Sequence, residues 1–302
     1  MIIVWGSLAD PPVQQVAAGL AAIDVDVVHI DDAAIGELRY DVLLGEHHSG
    51  WLQVDGRVVP VEEIRGMYAR PTTSGDSRAA AATMMMSALA SGLPGCVVNR
   101  PVAGRSNWSK PFQLTLLERA GLLVPDTLVT TDPAAARAFL ERHRRVVYKS
   151  VSGVRSIVST IDHRRPGRLD DFGVGPVQFQ QWIAGTDVRV HVVGDRWFAT
   201  KVTSDADDYR YATAVGSELE MVAVDIPVSL ARRLVELTRS MGLAVSGTDL
   251  RVTPENEWFA FEVNPSPGFT FYEAATGQPI AAAIAQLLST GVDPTRAPSL
   301  NM

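Results

Sequence analysis

The segment that says most about chemistry is Gly247-Thr-Asp249-Leu-Arg251, followed by Trp258-Phe-Ala-Phe-Glu262-Val-Asn264-Pro-Ser266-Pro-Gly268. On a strand successive side chains alternate in direction, so Glu262 and Asn264 share one face while Phe261 and Val263 turn into the core. Asp249 lies on the preceding strand, and the turn through Thr253 to Asn256 makes the two strands antiparallel neighbours. Asp, Glu and Asn converging there form a hard, all-oxygen donor set, which magnesium accepts while completing its octahedron with water and phosphate oxygens. Three polar residues on a solvated hairpin would be the plainer arrangement. Phe, Val and Trp around the acids, and a proline-rich turn after them, weigh against it. With no cation between them, the two carboxylates are expected to repel each other.

Two lysines stand where a lysine needs a reason. Lys110 opens a helix, at the end where the helix dipole favours anions. Lys149 lies within the apolar strand Val146-Val-Tyr-Lys149-Ser, where a buried unpaired ammonium is costly. A bound anion would resolve both conflicts, although Lys110 alone also fits a solvated helix start. After Lys149 comes Ser150-Val-Ser152-Gly153-Val-Arg155-Ser156, a run of mostly small residues. Further on, Asp187-Val-Arg189-Val-His191 reads equally well as a salt-bridged exposed strand or as part of a site.

These residues require strands to aim them. The first 105 residues read as a small α/β unit: a strand at residues 2–5, a helix with Val13, Val16 and Leu20 on one face, a strand ending at Ile30, and a hairpin turning at Asp55-Gly56. A strand to Ala69 leads into Arg70-Pro71, and an Ala- and Met-rich helix runs from about Arg78 to Ser91. Then follow helices at Lys110 to Ala120 and Pro133 to His143. Strands are expected at 128–130, 146–150, 156–161, 177–183, 188–193, 197–202, 245–252 and 257–263, with helices at 229–241 and 278–288. The fold class is α/β.

Glu262-Val-Asn264-Pro-Ser266-Pro-Gly268 resembles the metal-binding signature of ATP-grasp ligases. Within that superfamily the chain is similar to the ribosomal-protein glutamate ligase group and to the ATP-grasp maturases of ribosomal peptides. Residues 105 to 290 carry the motifs in the expected order. The resemblance implies a pre-ATP-grasp domain over residues 1–105, a central lid subdomain over 106–185 and a C-terminal lobe over 186–302, with ATP between the last two. It assigns Asp249, Glu262 and Asn264 to Mg2+, and Lys110, Lys149, Ser152, Gly153, Ser156 and Asp187 to the nucleotide. It makes Gln181, Trp182 and Ile183, in Val177-Gln-Phe-Gln-Gln181-Trp-Ile183, the hinge against which adenine lies. The phosphate loop here is poorer in glycine than the family's, and Gln181 stands where many relatives have glutamate. Arg189, Lys201 and Arg210 are implied at the reacting phosphoryl and acyl groups. Met67-Tyr-Ala-Arg70-Pro71 resembles an Arg-Pro segment of the peptide maturases, which tilts the acceptor toward a peptide. Arg70, Arg251, Ser266 and Gly268 are then the substrate residues.

The implied activity activates a carboxylate as an acyl phosphate and joins it to an amine or hydroxyl. An amino-acid or small-molecule ligase and a non-catalytic ATP-binding regulator remain as alternatives. The substrates, the amide or ester nature of the bond and the oligomer stay open, with a homodimer admissible. Twenty-seven basic against 34 acidic residues, a net charge of −7, argue against a broad nucleic-acid surface. No apolar run approaches membrane-spanning length. A lone Cys96 precludes an intrachain disulfide and fits a cytoplasmic protein. Its apolar setting suits a buried thiol better than a nucleophile. The six histidines lack zinc-type spacing, and no P-loop or hydrolase elbow is present.

Overall fold

The computed structural model describes residues 1–45, 47–72, 77–150, 159–164, 176–204 and 218–296. The chain opens with β1 (Ile2–Trp5), α1 (Pro11–Ala22), β2 (Val27–Ile30), β3 (Arg39–Leu43), β4 (Ser49–Val54), β5 (Arg57–Pro60), β6 (Gly66–Ala69), α2 (Ser77–Gly92) and β7 (Cys96–Val98). Strands β2-β1-β6-β7 form a parallel sheet, and β3-β4-β5 an antiparallel meander beside it. The Asp55-Gly56 turn is present with both residues at positive φ, 49° and 80°, as its sequence requires. Cys96 is fully buried, and burial pushes its thiol pKa up to about 12, which leaves it inert.

Next come α3 (Lys110–Arg119), β8 (Thr127–Thr130), α4 (Pro133–His143), β9 (Arg145–Ser150), β10 (Ser159–Asp162) and β11 (Val177–Gln181). Strands β10-β9-β11-β8 make an antiparallel sheet covered on one face by α4, whose Ala136 and Leu140 pack on Val146, Ile161 and Phe179. The helix starts where expected, with Asp132 accepting from the Ala134 N–H at 2.9 Å.

The last part holds β12 (Thr186–Val193), β13 (Arg196–Ser204), β14 (Leu219–Ala223), α5 (Val228–Ser240), β15 (Val245–Val252), β16 (Trp258–Asn264), α6 (Thr270–Thr276) and α7 (Ile280–Thr290). Its five-stranded antiparallel sheet has the order β14-β13-β12-β15-β16. One face is apolar: Val188, Val190, Val192, Leu250, Ala260 and Val263 pack under α5 and α3. The C-terminal α7 returns to the first sheet, with Ile280, Ile284 and Leu288 sharing a core with Ile2, Val4, Val16 and Leu20.

Two side chains lock these parts together. Asn99 donates to the carbonyls of Val245 and Pro265 and accepts from the N–H groups of Ala244 and Val245, at 2.5 to 3.1 Å. Gln113 on α3 donates to the Val263 carbonyl at 2.7 Å and accepts from the Val263 N–H at 3.3 Å. It thereby satisfies backbone groups that an edge strand such as β16 would otherwise leave open.

Candidate active site

Antiparallel pairing puts cross-strand partners on the same face, so register alone assembles the site. Asp187 faces Arg251, Arg189 faces Asp249 and His191 faces Gly247 across β12 and β15. Asp249 faces Glu262, and Gly247 faces Asn264, across β15 and β16. All lie on the face away from α5 and form one charged surface. The β15–β16 register shifts between Asp249 and Leu250, because Phe261 is an extra residue in β16. This bulge corrects the strict alternation expected from sequence. Ala260 and Val263 are the buried residues, while Phe261 is partly exposed with the Arg251 guanidinium 5.7 Å from its ring centroid.

The charges on this face are paired. Arg189, whose side chain is 6% exposed, holds Asp249 Oδ1 through Nη1 at 2.5 Å. Lys110 Nζ lies 3.3 Å from Glu262 Oε2. It gets there because Gln113, one turn later on the same helix face, is fastened to Val263. The repulsion expected between the two carboxylates is thus offset, since each has its own cation. Arg251 grips both Asp187 oxygens at 2.8 and 2.9 Å and also donates to the Ile183 carbonyl at 2.9 Å. It therefore braces the exit from the hinge. Asn264 Oδ1 accepts from the Ser266 N–H at 2.8 Å and keeps a second lone pair for a cation.

Arg70 and Ser266, both expected to meet substrate, meet each other. Arg70 Nη1 donates to the Ser266 carbonyl at 2.8 Å, to Ser266 Oγ at 2.7 Å and to the Pro267 carbonyl at 3.3 Å, while Nε binds Asp10. The first sheet thereby grips the turn that follows the donor strand and leads into Gly268.

Lys201 does not join this surface. It pairs with Val188, and Thr200 is the residue opposite Arg189, so Lys201 projects to the face that α5 and α3 cover. Spacing along the chain placed a cation in the right stretch, but strand parity sent it the other way. Arg210, Ser152, Gly153 and Ser156 lie outside the described residues.

On the central sheet, Lys149 is 8% exposed on β9 and pairs with Gln178 of β11. Gln181 is used within the sheet: its N–H donates to the Asp126 carbonyl at 2.8 Å and its Oε1 accepts from the Asp126 N–H at 3.3 Å. Trp182 donates its N–H to the Arg145 carbonyl, and the Arg145 guanidinium sits 4.0 Å from the centroid of its ring. Ile183 is buried, with its carbonyl on Arg251.

Gly247, His191 and Tyr272 take roles around Arg189 that the sequence does not assign them. Gly247 leaves the space the guanidinium occupies: a Cβ there would fall 2.2 Å from Arg189 Nη2. His191 is 1% exposed, with Nε2 3.5 Å from Arg189 Nε, and its ring meets Tyr272 edge-on at 4.9 Å. The Arg189 guanidinium also lies 5.8 Å from the Tyr272 ring centroid. The signal for Gly247 was in the sequence, as a glycine inside a strand marks close approach by another group.

A face with Asp249, Glu262 and Asn264 as oxygen donors, ringed by Arg189 and Lys110, suits a hard cation carrying an anionic ligand. This site lies within a RimK-like ATP-grasp domain, which matches residues 108–288, and the chain belongs to that family. A probable alpha-L-glutamate ligase of Vibrio cholerae is 28% identical over 201 residues, which are 63% of this chain and 66% of that protein. The chain thus aligns with slightly under two thirds of the length of that relative. Across nearly the whole chain it is similar to the ATP-grasp ligase PsnB, solved with a phosphomimetic variant of a minimal precursor, Mg and ADP. That structure covers 96% of this chain and 98% of its own, at 26% identity and a TM-score of 0.80. A RiPP-associated ATP-grasp ligase of Chryseobacterium gregarium shares the fold at 20% identity, with a TM-score of 0.80 and 99% of each chain covered.

Proposed function

We propose that the protein is an ATP-dependent, magnesium-requiring ligase that modifies a peptide. The substrate carboxylate attacks the γ-phosphorus of ATP, releasing ADP and forming an acyl phosphate. An amine or hydroxyl then attacks the acyl carbon and inorganic phosphate leaves. Asp249, Glu262 and Asn264 would hold the magnesium, whose charge offsets that of the β- and γ-phosphates. Lys149 and Lys110 bind phosphate oxygens, and Arg189 meets charge developing on the transferring group. Arg70 and the Ser266 to Gly268 turn shape the entry for the peptide carboxylate.

The observation that carries this reading is the single charged face shared by β12, β15 and β16, with α3 supplying its lysine. The peptide acceptor is favoured over a free amino acid by closeness of likeness rather than its extent. PsnB and a D-alanyl-alanine synthetase of Vibrio cholerae both align with 96% of the chain, but PsnB does so at a TM-score of 0.80 and 26% identity against 0.65 and 14%. The test uses a peptide that supports turnover, labelled with oxygen-18 in its carboxylates. Label should appear in inorganic phosphate. Label in AMP, with pyrophosphate released, would mean adenylation and defeat the acyl-phosphate reading.

A further inference from the structure

Gln178 is 0% exposed, and neither its Oε1 nor its Nε2 has a hydrogen-bond partner. Buried side-chain amides are almost always satisfied, because an unpaired donor or acceptor forfeits its hydration for nothing. The residue lies mid-strand on β11, between Val129 of β8 and Lys149 of β9. It shares the Lys149 face of the sheet. Phe179, the next residue, turns to the opposite face and fills the core under α4. Gln180, two along and on the same face as Gln178, donates to Thr127 Oγ1 at 3.1 Å. Gln178 is thus neither part of the apolar packing nor tied into the sheet. A leucine would fold there without the loss.

The orphaned group is one donor and one acceptor side by side in a plane, next to a lysine. A phosphate would satisfy only Nε2 and would set its own lone pairs against Oε1. A purine edge differs. Adenine presents the N7 acceptor beside the N6 amino donor, which a glutamine amide pairs with through two bonds. Guanine presents two acceptors, N7 and O6, and one of them must face Oε1. We infer that Gln178 reads the N6/N7 edge of adenine and sets a preference for ATP over GTP. This rests on the nucleotide lying against Lys149, as in the reading above.

The experiment measures binding of Mg-ATP, Mg-GTP and Mg-7-deaza-ATP by calorimetry to wild type, Gln178→Leu and Lys149→Met, together with KM and kcat for ATP. Gln178→Leu should bind ATP about tenfold more weakly, the low end for one bidentate pair, and bind GTP at least as tightly as wild type does. Its KM for ATP should rise by more than its kcat falls, and without nucleotide it should melt no lower than wild type. Wild type should bind 7-deaza-ATP, which lacks N7, more weakly than ATP, a comparison that alters no protein atom. Equal losses for ATP and GTP in Gln178→Leu, or equal wild-type affinity for ATP and 7-deaza-ATP, would overturn the assignment. If Lys149→Met weakens ATP binding and Gln178→Leu does not, Gln178 alone is misassigned. If Lys149→Met binds ATP as tightly as wild type, the nucleotide lies elsewhere and both readings fall.

Discussion

On the five-stranded sheet Arg189 has Asp249, Lys110 has Glu262 and Arg251 has Asp187, whereas on the antiparallel sheet β10-β9-β11-β8 the Gln178 amide has nothing. The first surface has already neutralised itself. In the proposed function Asp249 and Glu262 would exchange these cations for a magnesium ion, and Arg189 and Lys110 would then hold phosphate oxygens in place of carboxylates. Each charge exchanges one partner for another, so neither state of the site leaves a buried ion alone, which is the costly condition. The second surface has no such exchange to make. Its amide carries an unpaired donor and acceptor until a ligand supplies both. On the proposed function, reactivity on one sheet and recognition on the other would follow from these two electrostatic conditions.

The largest effect should come from breaking the exchange. Asp249→Asn or Glu262→Gln keeps an oxygen donor and loses a charge, so turnover should fall on the order of a hundredfold or more. The ion pairs also fix the sign of the stability change. Asp249→Asn weakens the partner of a nearly buried guanidinium, so its melting temperature should drop, by more than that of Glu262→Gln, whose lysine is more exposed. Thermal melts alongside ADP release at saturating substrates measure both quantities. Normal turnover per folded molecule in either variant would remove the metal assignment. A rise in melting temperature would mean that carboxylate repulsion outweighs the ion pairs.

A smaller effect should come from misplacing one group while every charge stays. Gly247→Ala puts a methyl 2.2 Å from Arg189 Nη2 and 2.8 Å from Pro267 Cβ, so the guanidinium must leave its seat on Asp249. Displacement of this kind should lower kcat about tenfold, with ATP affinity nearly retained because Gln178 and Lys149 are untouched. The ratio of kcat loss to KM change decides the matter. A variant that loses only ATP affinity would show that Arg189 serves binding rather than the transferring group.

The sequence disclosed what periodicity and residue chemistry can carry. Asp249, Glu262 and Asn264 were legible as one face because two strands joined by a short turn must pair. Lys149 was legible because an ammonium in an apolar strand demands a reason. What escaped depends on register between strands distant in sequence. Whether Lys201 shares a face with Arg189 is decided by one residue of parity across β12 and β13, which spacing does not reveal. The Phe261 bulge is likewise invisible until β15 is laid against β16. Three strands and one α-helix were missed. β3, β7 and β14 are edge strands of only three to five residues, and α6 is only seven residues long. Gln178 left a readable trace, a polar residue alternating with Phe179 in a strand, but only burial showed that its amide was unmet.

The smallest effect concerns His191, which lies between the charged face and the core. Burial, and next the Arg189 guanidinium, hold its pKa well below 6.5, with a Gly268 backbone contact acting weakly the other way. The folded protein therefore keeps the ring neutral, with Nε2 free to accept from Arg189 Nε. The unfolded chain takes up a proton once the pH falls below about 6.5, the ordinary histidine value. Stability from this residue is complete above that value and is lost as pH drops below it, until the depressed folded-state value is reached. Within that window each unit of acidification should cost about 1.4 kcal/mol. His191→Gln retains an acceptor for Arg189 and removes the titration. Denaturant unfolding at about pH 7.5 and about pH 5.5 should show a smaller acid loss for the variant than for wild type, since every other carboxylate and histidine is common to both. Parallel losses would mean that His191 is protonated in the fold. Arg189 would then be held by Asp249, Tyr272 and the Gly247 gap without a hydrogen bond to the imidazole.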